Sequence, residues 1–303
     1  MLEVNKYDLS ICIPTYNRCE ILDSTLHALF SNPDFDAERV EVIVSDNCSL
    51  DNTTEIVAKY PLAKYYRNIE NVRDRNFSIV LGYATGHYIR LFNDTIIFKP
   101  GALKLMLSKI RAYNSSNQNI FFCENMFLNN KCIKEVAASK DFLEQLSFYS
   151  TWIGNFGAWK EDFLKIQNID DFASLQLSQV DWCYQIVKNG KRTFLYFDQF
   201  FEVVVPNKKG GYNVFKIFVD NYLHIISQHK VSVFSYELEK YRLFRYFIYP
   251  WLIKLFITES ETFDFDVKGA YRIIFVKYWY EPYFYAMIFL FLLRTMQNKW
   301  HGK

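Results

Sequence analysis

The chain has 303 residues, half of them hydrophobic and 22% charged, with a formal net charge of +2. That balance can bury a substantial core in one large domain or slightly more, and it excludes a disordered chain. So small a net charge gives no case for a nucleic-acid partner. Six scattered cysteines, with no CxxC pair, argue against a zinc site. Met1 to Asp8 is polar and reads as no signal peptide, so a reducing cytoplasm is the expected compartment.

Leu9 to Pro14 is a short apolar run that predicts a buried strand, followed by the polar loop Thr15-Tyr16-Asn17-Arg18. Leu22, Thr25, Leu26 and Leu29 then recur at helical spacing and predict a helix packed on a sheet. Val40 to Ser45 predicts a second strand with Asp46-Asn47 just past its end. Ser49 to Thr54 supplies turn and cap residues ahead of a short helix from Glu55 to Lys59. Lys64 to Arg67 is a third strand candidate. Arg73 to Ala84 predicts another helix, closed by Gly86, and Tyr88 to Phe92 a fourth strand. This strand runs into Asn93-Asp94-Thr95, and Pro100-Gly101 opens the next helix. Strands alternating with helices predict a parallel α/β sheet, whose ligands sit at the carboxyl ends of its strands. The loops there carry Pro14 to Arg18, Asp46-Asn47 and Asn93-Asp94-Thr95. Neither GxGxxG nor GxxxxGK[ST] occurs, so no dinucleotide fingerprint and no P-loop is written.

Those segments resemble the nucleotide-binding half of a family 2 glycosyltransferase. The matching pieces are Ile13 to Arg18, Asp46 to Thr53, Asn71 to Asn76, Gly82 to Gly86, and the stretch running to Pro100-Gly101. The resemblance implies a GT-A nucleotide-diphospho-sugar transferase-like sheet, class α/β, over residues 1–206. Within it 1–112 is the nucleotide half and 113–206 the acceptor half, and 207–303 is a helical aromatic and basic extension. It implies that Pro14, Thr15 and Tyr16 cup a nucleobase and that Asp46 accepts its imide N–H. Arg18, Asn71, Arg75 and Asn93 complete the donor set, with Asp94 at the ribose or at a metal. An aromatic face stacks a base and a carboxylate takes an imide hydrogen, so these residue types suit those roles. Capping is the alternative for Asp46, and loop packing the alternative for Tyr16.

Two departures from the family pattern bear on chemistry. Thr95 stands where an Asp usually holds Mg²⁺ or Mn²⁺, so a divalent metal is expected to be weakly held. The usual glycine after Asn71 is missing, and Arg73 or Arg75 is a candidate to meet phosphate.

Further on, Ile120 to Cys123 predicts a strand, Asn129-Asn130 a hairpin turn and Ser139 to Phe148 a helix. Trp152, Asn155 and Trp182 are acceptor-wall candidates, since sugar faces pack on aromatic rings, and core packing is the equal alternative for the Thr151 to Gly157 loop. Gln179-Val180-Asp181-Trp182 opens a helix ending near Asn189-Gly190. By resemblance Asp181 is the catalytic base, left alone of an acidic pair because Val180 replaces its partner; Asp170-Asp171 is the fallback. Arg192 to Phe197 reads as another strand. Asn207 to Gly211 reads as a flexible basic lid. Mixed aromatic and basic residues from Tyr241 to Phe256 and Lys268 to Arg294 suit helices lying on an anionic membrane. A helical subdomain or a dimer contact is the alternative. The expected activity is inverting transfer of a sugar from a nucleotide-sugar, UDP-linked by preference, to a glycan acceptor that is free or lipid-linked. The expected site of action is the inner face of the cytoplasmic membrane. A non-catalytic sugar- or nucleotide-binding relative is the alternative, and a nucleotidyltransferase is disfavoured by the lack of a basic glycine loop.

Overall fold

The first hundred residues alternate apolar strands with one-sided helices, and this alternation builds a parallel sheet. The computed structural model describes residues 6–113, 115–124, 131–204, 209–258 and 263–300. The Asn129-Asn130 turn and Asn207-Lys208 lie outside them. The chain divides into one unit of Met1–Val205 and another of Pro206–Lys303.

In the first unit the elements are β1 (Tyr7–Thr15), α1 (Cys19–Phe30), β2 (Val40–Asp46), α2 (Thr53–Ala58), β3 (Ala63–Arg67), α3 (Arg75–Tyr83) and β4 (Gly86–Leu91). Then come β5 (Ile96–Phe98), α4 (Ala102–Ala112), β6 (Gln118–Glu124), β7 (Cys132–Val136), α5 (Ser139–Leu146), β8 (Gly157–Trp159), α6 (Lys160–Phe163), α7 (Ser178–Val187), β9 (Arg192–Asp198) and β10 (Phe201–Val203). The main sheet has the order β3-β2-β1-β4-β8, with the first four strands parallel and β8 antiparallel at the edge. Its central strands are buried on both faces, which is why they read as continuous apolar runs rather than as alternation. α1 turns Leu22, Thr25, Leu26 and Leu29 inward, the four residues whose spacing marked it. β6, β9 and β7 form a second sheet, and β5 pairs with β10 in a two-stranded ribbon.

Two local expectations change. The helix expected from Arg73 starts at Arg75, because Arg73 has φ +53° and cannot join a right-handed turn. Gly86 opens β4 instead of closing α3: its N–H donates to Ser10 Oγ, and a Cβ there would lie 2.6 Å from that oxygen.

Arg90 on β4 is wholly buried. Its guanidinium donates to the carbonyls of Gly154 and, at 3.4 Å, Phe122, and it lies 4.7 Å over the Phe201 ring. Burial pulls its pKa down to about 10, against the opposing pull of Tyr88, Cys123 and Glu124. This cation joins the main sheet to the segments that follow it.

In the second unit β11 (Lys209–Asn213) pairs in parallel with β12 (Phe263–Asp266). Lys209 to Gly211 is therefore strand and not a flexible lid. Gly210 is required there, since a Cβ would sit 1.8 Å from the Asp264 carbonyl. The helices are α8 (Tyr222–Ser227), α9 (Val233–Leu243), α10 (Tyr249–Phe256), α11 (Ala270–Tyr278) and α12 (Pro282–Trp300), with π-helical turns at Lys216–Asn221 and Phe244–Ile248. Leu243, Phe244, Ile248 and Leu252 are buried, so much of the Tyr241 to Phe256 stretch forms core where a membrane face was expected. The Lys240 ammonium is enclosed by Glu237, Glu281 and the Tyr280 hydroxyl. Tyr271, Phe275, Val276 and Trp279, and then Tyr285, Phe289, Leu293 and Met296, stay exposed. No helix among the described residues is long and apolar enough to cross a membrane.

Candidate active site

Register sets out the site. Thr15 lies opposite Asp46, and Asp46 opposite Arg67, in one row at the carboxyl ends of β1, β2 and β3. Beyond β4, Asp94 reaches the same edge. Its Oδ2 accepts from Thr15 Oγ1 at 3.1 Å and its Oδ1 from Arg18 Nη1 at 3.0 Å. Its backbone carbonyl accepts from Thr25 Oγ1 of α1 at 2.7 Å. The carboxylate is 2% exposed, while the Arg18 side chain is 47% exposed and presents its charge to solvent. Burial pushes the Asp94 carboxyl up, against the pull of Arg18 and the Thr15 hydrogen bond. Pro14 is buried behind Thr15, Tyr16 is 40% exposed, and Asn93 is half-buried with its carbonyl closing a turn onto Ile96 N–H.

Asp46 requires a correction. Its carboxylate has no solvent exposure and serves the protein: Oδ1 accepts from Ser49 N–H at 2.8 Å, and Oδ2 from the Tyr65 hydroxyl at 2.7 Å and Arg67 Nη1 at 3.1 Å. Asp46 thus holds Tyr65 and Arg67 in place at this edge. Tyr65 and Arg67 were missed in the sequence. The available signal was that β3 had to end at the same edge as β1 and β2.

The loops at this edge are tied together. Asn47 Nδ2 donates to Asn71 Oδ1 at 2.9 Å and to the Arg73 carbonyl at 3.1 Å. Asn47 Oδ1 accepts from Asn68 and from Val72 N–H. Asn76 bridges Asn68 and Ser45. Asn17 is bonded both ways to the Ser49–Leu50 backbone and side chain. Asn71 is thus a loop strut. Arg75 turns away to Asp170, with Nε 3.3 Å from Oδ2, while Ser78 donates to the other oxygen of Asp170. Arg75 and Asp170 thus form an exposed ion pair.

Asp181 is in the first turn of α7 and is 5% exposed; its Oδ2 accepts from Gln185 Nε2 one turn on, at 2.8 Å. Beside it, Ser178 Oγ and Gln179 Oε1 are buried with no hydrogen-bond partner among the described residues. Two acceptor-wall candidates fail on burial. Trp182 is 1% exposed, donates to the Ile169 carbonyl and meets Phe156 and Phe163 edge to face. Asn155 is buried, with both amide groups bonded to backbone at Glu124 and Tyr149. Trp152 is half-buried against Phe201, over Gly154.

Without a donor diphosphate, the described residues at this edge make no complete divalent-metal site. Among the described residues no three His, Cys, Asp or Glu side chains converge. Asp94 is a single carboxylate whose oxygens already hold Arg18 and Thr15, and Thr95, also nearly buried, offers only a neutral hydroxyl.

Residues 10–183 match the model of the family described as glycosyl transferase family 2. Abequosyltransferase RfbV of Salmonella typhimurium is 31% identical over 123 residues, 38% of this chain and 35% of that protein. The chain spans about a third of the length of the curated relatives it matches. Among solved structures, S. aureus TarS 1-349 in complex with UDP has a TM-score of 0.56 at 16% identity, over 88% of this chain and 78% of that one. The mannosyltransferase PcManGT from Pyrobaculum calidifontis, in complex with GDP-Man and Mn²⁺, has a TM-score of 0.52 at 14% identity, over 100% and 91%. Both share the GT-A arrangement of the fold.

Proposed function

Because the chain belongs to glycosyl transferase family 2, we propose that it transfers a sugar from a nucleoside-diphospho-sugar, with uridine as the favoured base, to a hydroxyl of a glycan acceptor. The observation that carries this is the cluster at the sheet's carboxyl edge: a buried Asp94 held by Thr15 and Arg18, beside loops already fixed by Asn47, Asn71 and Asn76. Such an edge can take a nucleotide with little rearrangement. The Tyr16 ring is exposed for stacking, and Arg67 offers N–H donors to a base edge.

The chemistry assigned to Asp181 is general base. Its carboxylate takes the proton of the acceptor hydroxyl as that oxygen bonds to the anomeric carbon. The bond from that carbon to the β-phosphate oxygen breaks, the configuration inverts, and the nucleoside diphosphate leaves. The unpartnered Ser178 Oγ and Gln179 Oε1 beside Asp181 suit an incoming sugar hydroxyl. Arg18 supplies fixed positive charge toward the leaving diphosphate. Because the residues around Asp94 do not form a metal site, no step is assigned to a metal.

A second reading concerns the other unit. Its exposed aromatic and aliphatic residues on α11 and α12 lie among Lys268, Arg272, Lys277 and Arg294, a pairing suited to an anionic lipid surface and to a lipid-linked acceptor. The experiment for the activity is release of free nucleoside diphosphate from UDP-, CDP-, GDP- and dTDP-sugars with a glycan extract as acceptor. Binding without release under every donor would favour a non-catalytic binding protein.

A further inference from the structure

The residue left unexplained at the carboxyl edge is Arg73. It holds φ +53°, the left-handed region that bulky side chains rarely occupy. The conformation is imposed by its neighbours: Asn47 Nδ2 grips the Arg73 carbonyl at 3.1 Å, and Asn71 Oδ1 takes the Arg73 N–H at 2.8 Å. Glycine would satisfy the same grip without strain. The side chain does nothing to compensate, since it is exposed and its guanidinium makes no hydrogen bond or ion pair among the described residues. Burial pushes the adjacent Asp74 carboxyl up to about 6 against the pull of Arg73, which makes no hydrogen bond or ion pair with it. Arg75, the other cation of the loop, is committed to Asp170.

Strain held in place by the surrounding structure and carrying an unpaired charge points to function. We propose that Arg73 is a donor-binding residue, held in its left-handed conformation so that its guanidinium meets the diphosphate of the nucleotide-sugar. This rests on the donor reading above. Its position follows from the ties: Asn47, which grips Arg73, is the residue after Asp46, and Ser49 of the same turn is bonded to Asn17, next to Arg18. Arg73 and Arg18 are then two cations held by one knitted set of loops, a planar donor fork apiece for a group with several anionic oxygens.

The test sets stability against affinity. Wild type, Arg73→Gly and Arg73→Gln are titrated by calorimetry with UDP, CDP, GDP and dTDP, then with the nucleoside of the base that binds best, and each is melted. Arg73→Gly should melt at or above wild type because the strain is gone. It should bind the diphosphate about ten-fold or more weakly, with nucleoside affinity unchanged. Arg73→Gln keeps the side-chain length without the charge and should lose the diphosphate to a similar degree. A Gly or Gln variant with wild-type diphosphate affinity overturns the proposal while leaving the donor reading intact. So does equal loss of nucleoside and diphosphate, which would mean the loop had merely collapsed. A wild type that binds none of the four diphosphates refutes the donor reading itself, and this proposal with it.

Discussion

Replacing Asp46 by alanine tests whether that carboxylate holds the base pocket together from beneath. The change removes the acceptor for three donors. Ser49 N–H is buried and would be left unpaired, at a cost of about 1–3 kcal/mol. The Tyr65 hydroxyl keeps its contact with Thr54 Oγ1 and loses less. Arg67 is 40% exposed on its side chain and can rehydrate, so little is lost with its ion pair. With the small void added, the sum is about 2–4 kcal/mol, or a fall in melting temperature of roughly 3–6 °C for a chain of this size. Asp46→Asn keeps an oxygen for Ser49 N–H and should lose about half as much. Melting followed by circular dichroism, with calorimetry of nucleotide binding on the same samples, reads both effects. If Asp46→Ala melts within a degree of wild type and loses only nucleotide affinity, the carboxylate contacts the base directly and the supporting role is refuted.

Asp181→Asn should keep donor affinity and lower turnover about 10²-fold or more, measured as diphosphate release; wild-type rates would move attention to other carboxylates. Asp94→Asn should abolish productive donor binding yet stabilise the fold at neutral pH. Burial raises the folded-state pKa of Asp94, so the wild type loses stability as pH climbs from the ordinary carboxyl value of 3.8 to the raised one, and the variant does not; melting curves across pH 3–8 would show the gap opening over that window and then staying constant. The donor-free protein should bind Mn²⁺ no more tightly than about millimolar by calorimetry, and a micromolar site would contradict the assignment of Arg18 to Asp94. Deleting residues 268–303 should abolish flotation with vesicles containing anionic lipid, and high salt should weaken flotation of the full chain; a full chain that ignores such vesicles would leave the exposed face without a lipid role.

Much of the first unit was legible because parallel strands buried on both faces leave continuous apolar runs, as at Ile11 to Ile13 and Val42 to Val44. The helix on Leu22, Thr25, Leu26 and Leu29 was legible from its period. The short edge elements β5, β8 and β10 are three residues each, too brief to carry any period, and they were missed. At the site, Asp94, Arg18 and Thr15 lie 76 and 79 residues apart in pairs and meet only through strand order, yet each was singled out from its loop. Three site candidates sit deeper than their residue types suggest. Trp182, Asn155 and Asp46 are residue types that serve ligands at surfaces, but here each is enclosed and bonded to its own chain. Sequence pattern shows which end of a strand a side chain occupies and gives little sign of whether anything covers it.

The buried Arg90 has a bearing on how this fold can diversify. Among the described residues, its hydrogen bonds across the joint end on the main-chain oxygens of Phe122 and Gly154, and on no side-chain atom. A main-chain oxygen survives almost any substitution. The segments that follow β4 can therefore vary in sequence while these main-chain ties to the main sheet persist, provided an aromatic ring is kept at Phe201. Grafting residues 118–198 from a distant relative onto this β4 should preserve a folded joint, whereas Arg90→Met should not, even with every other residue kept.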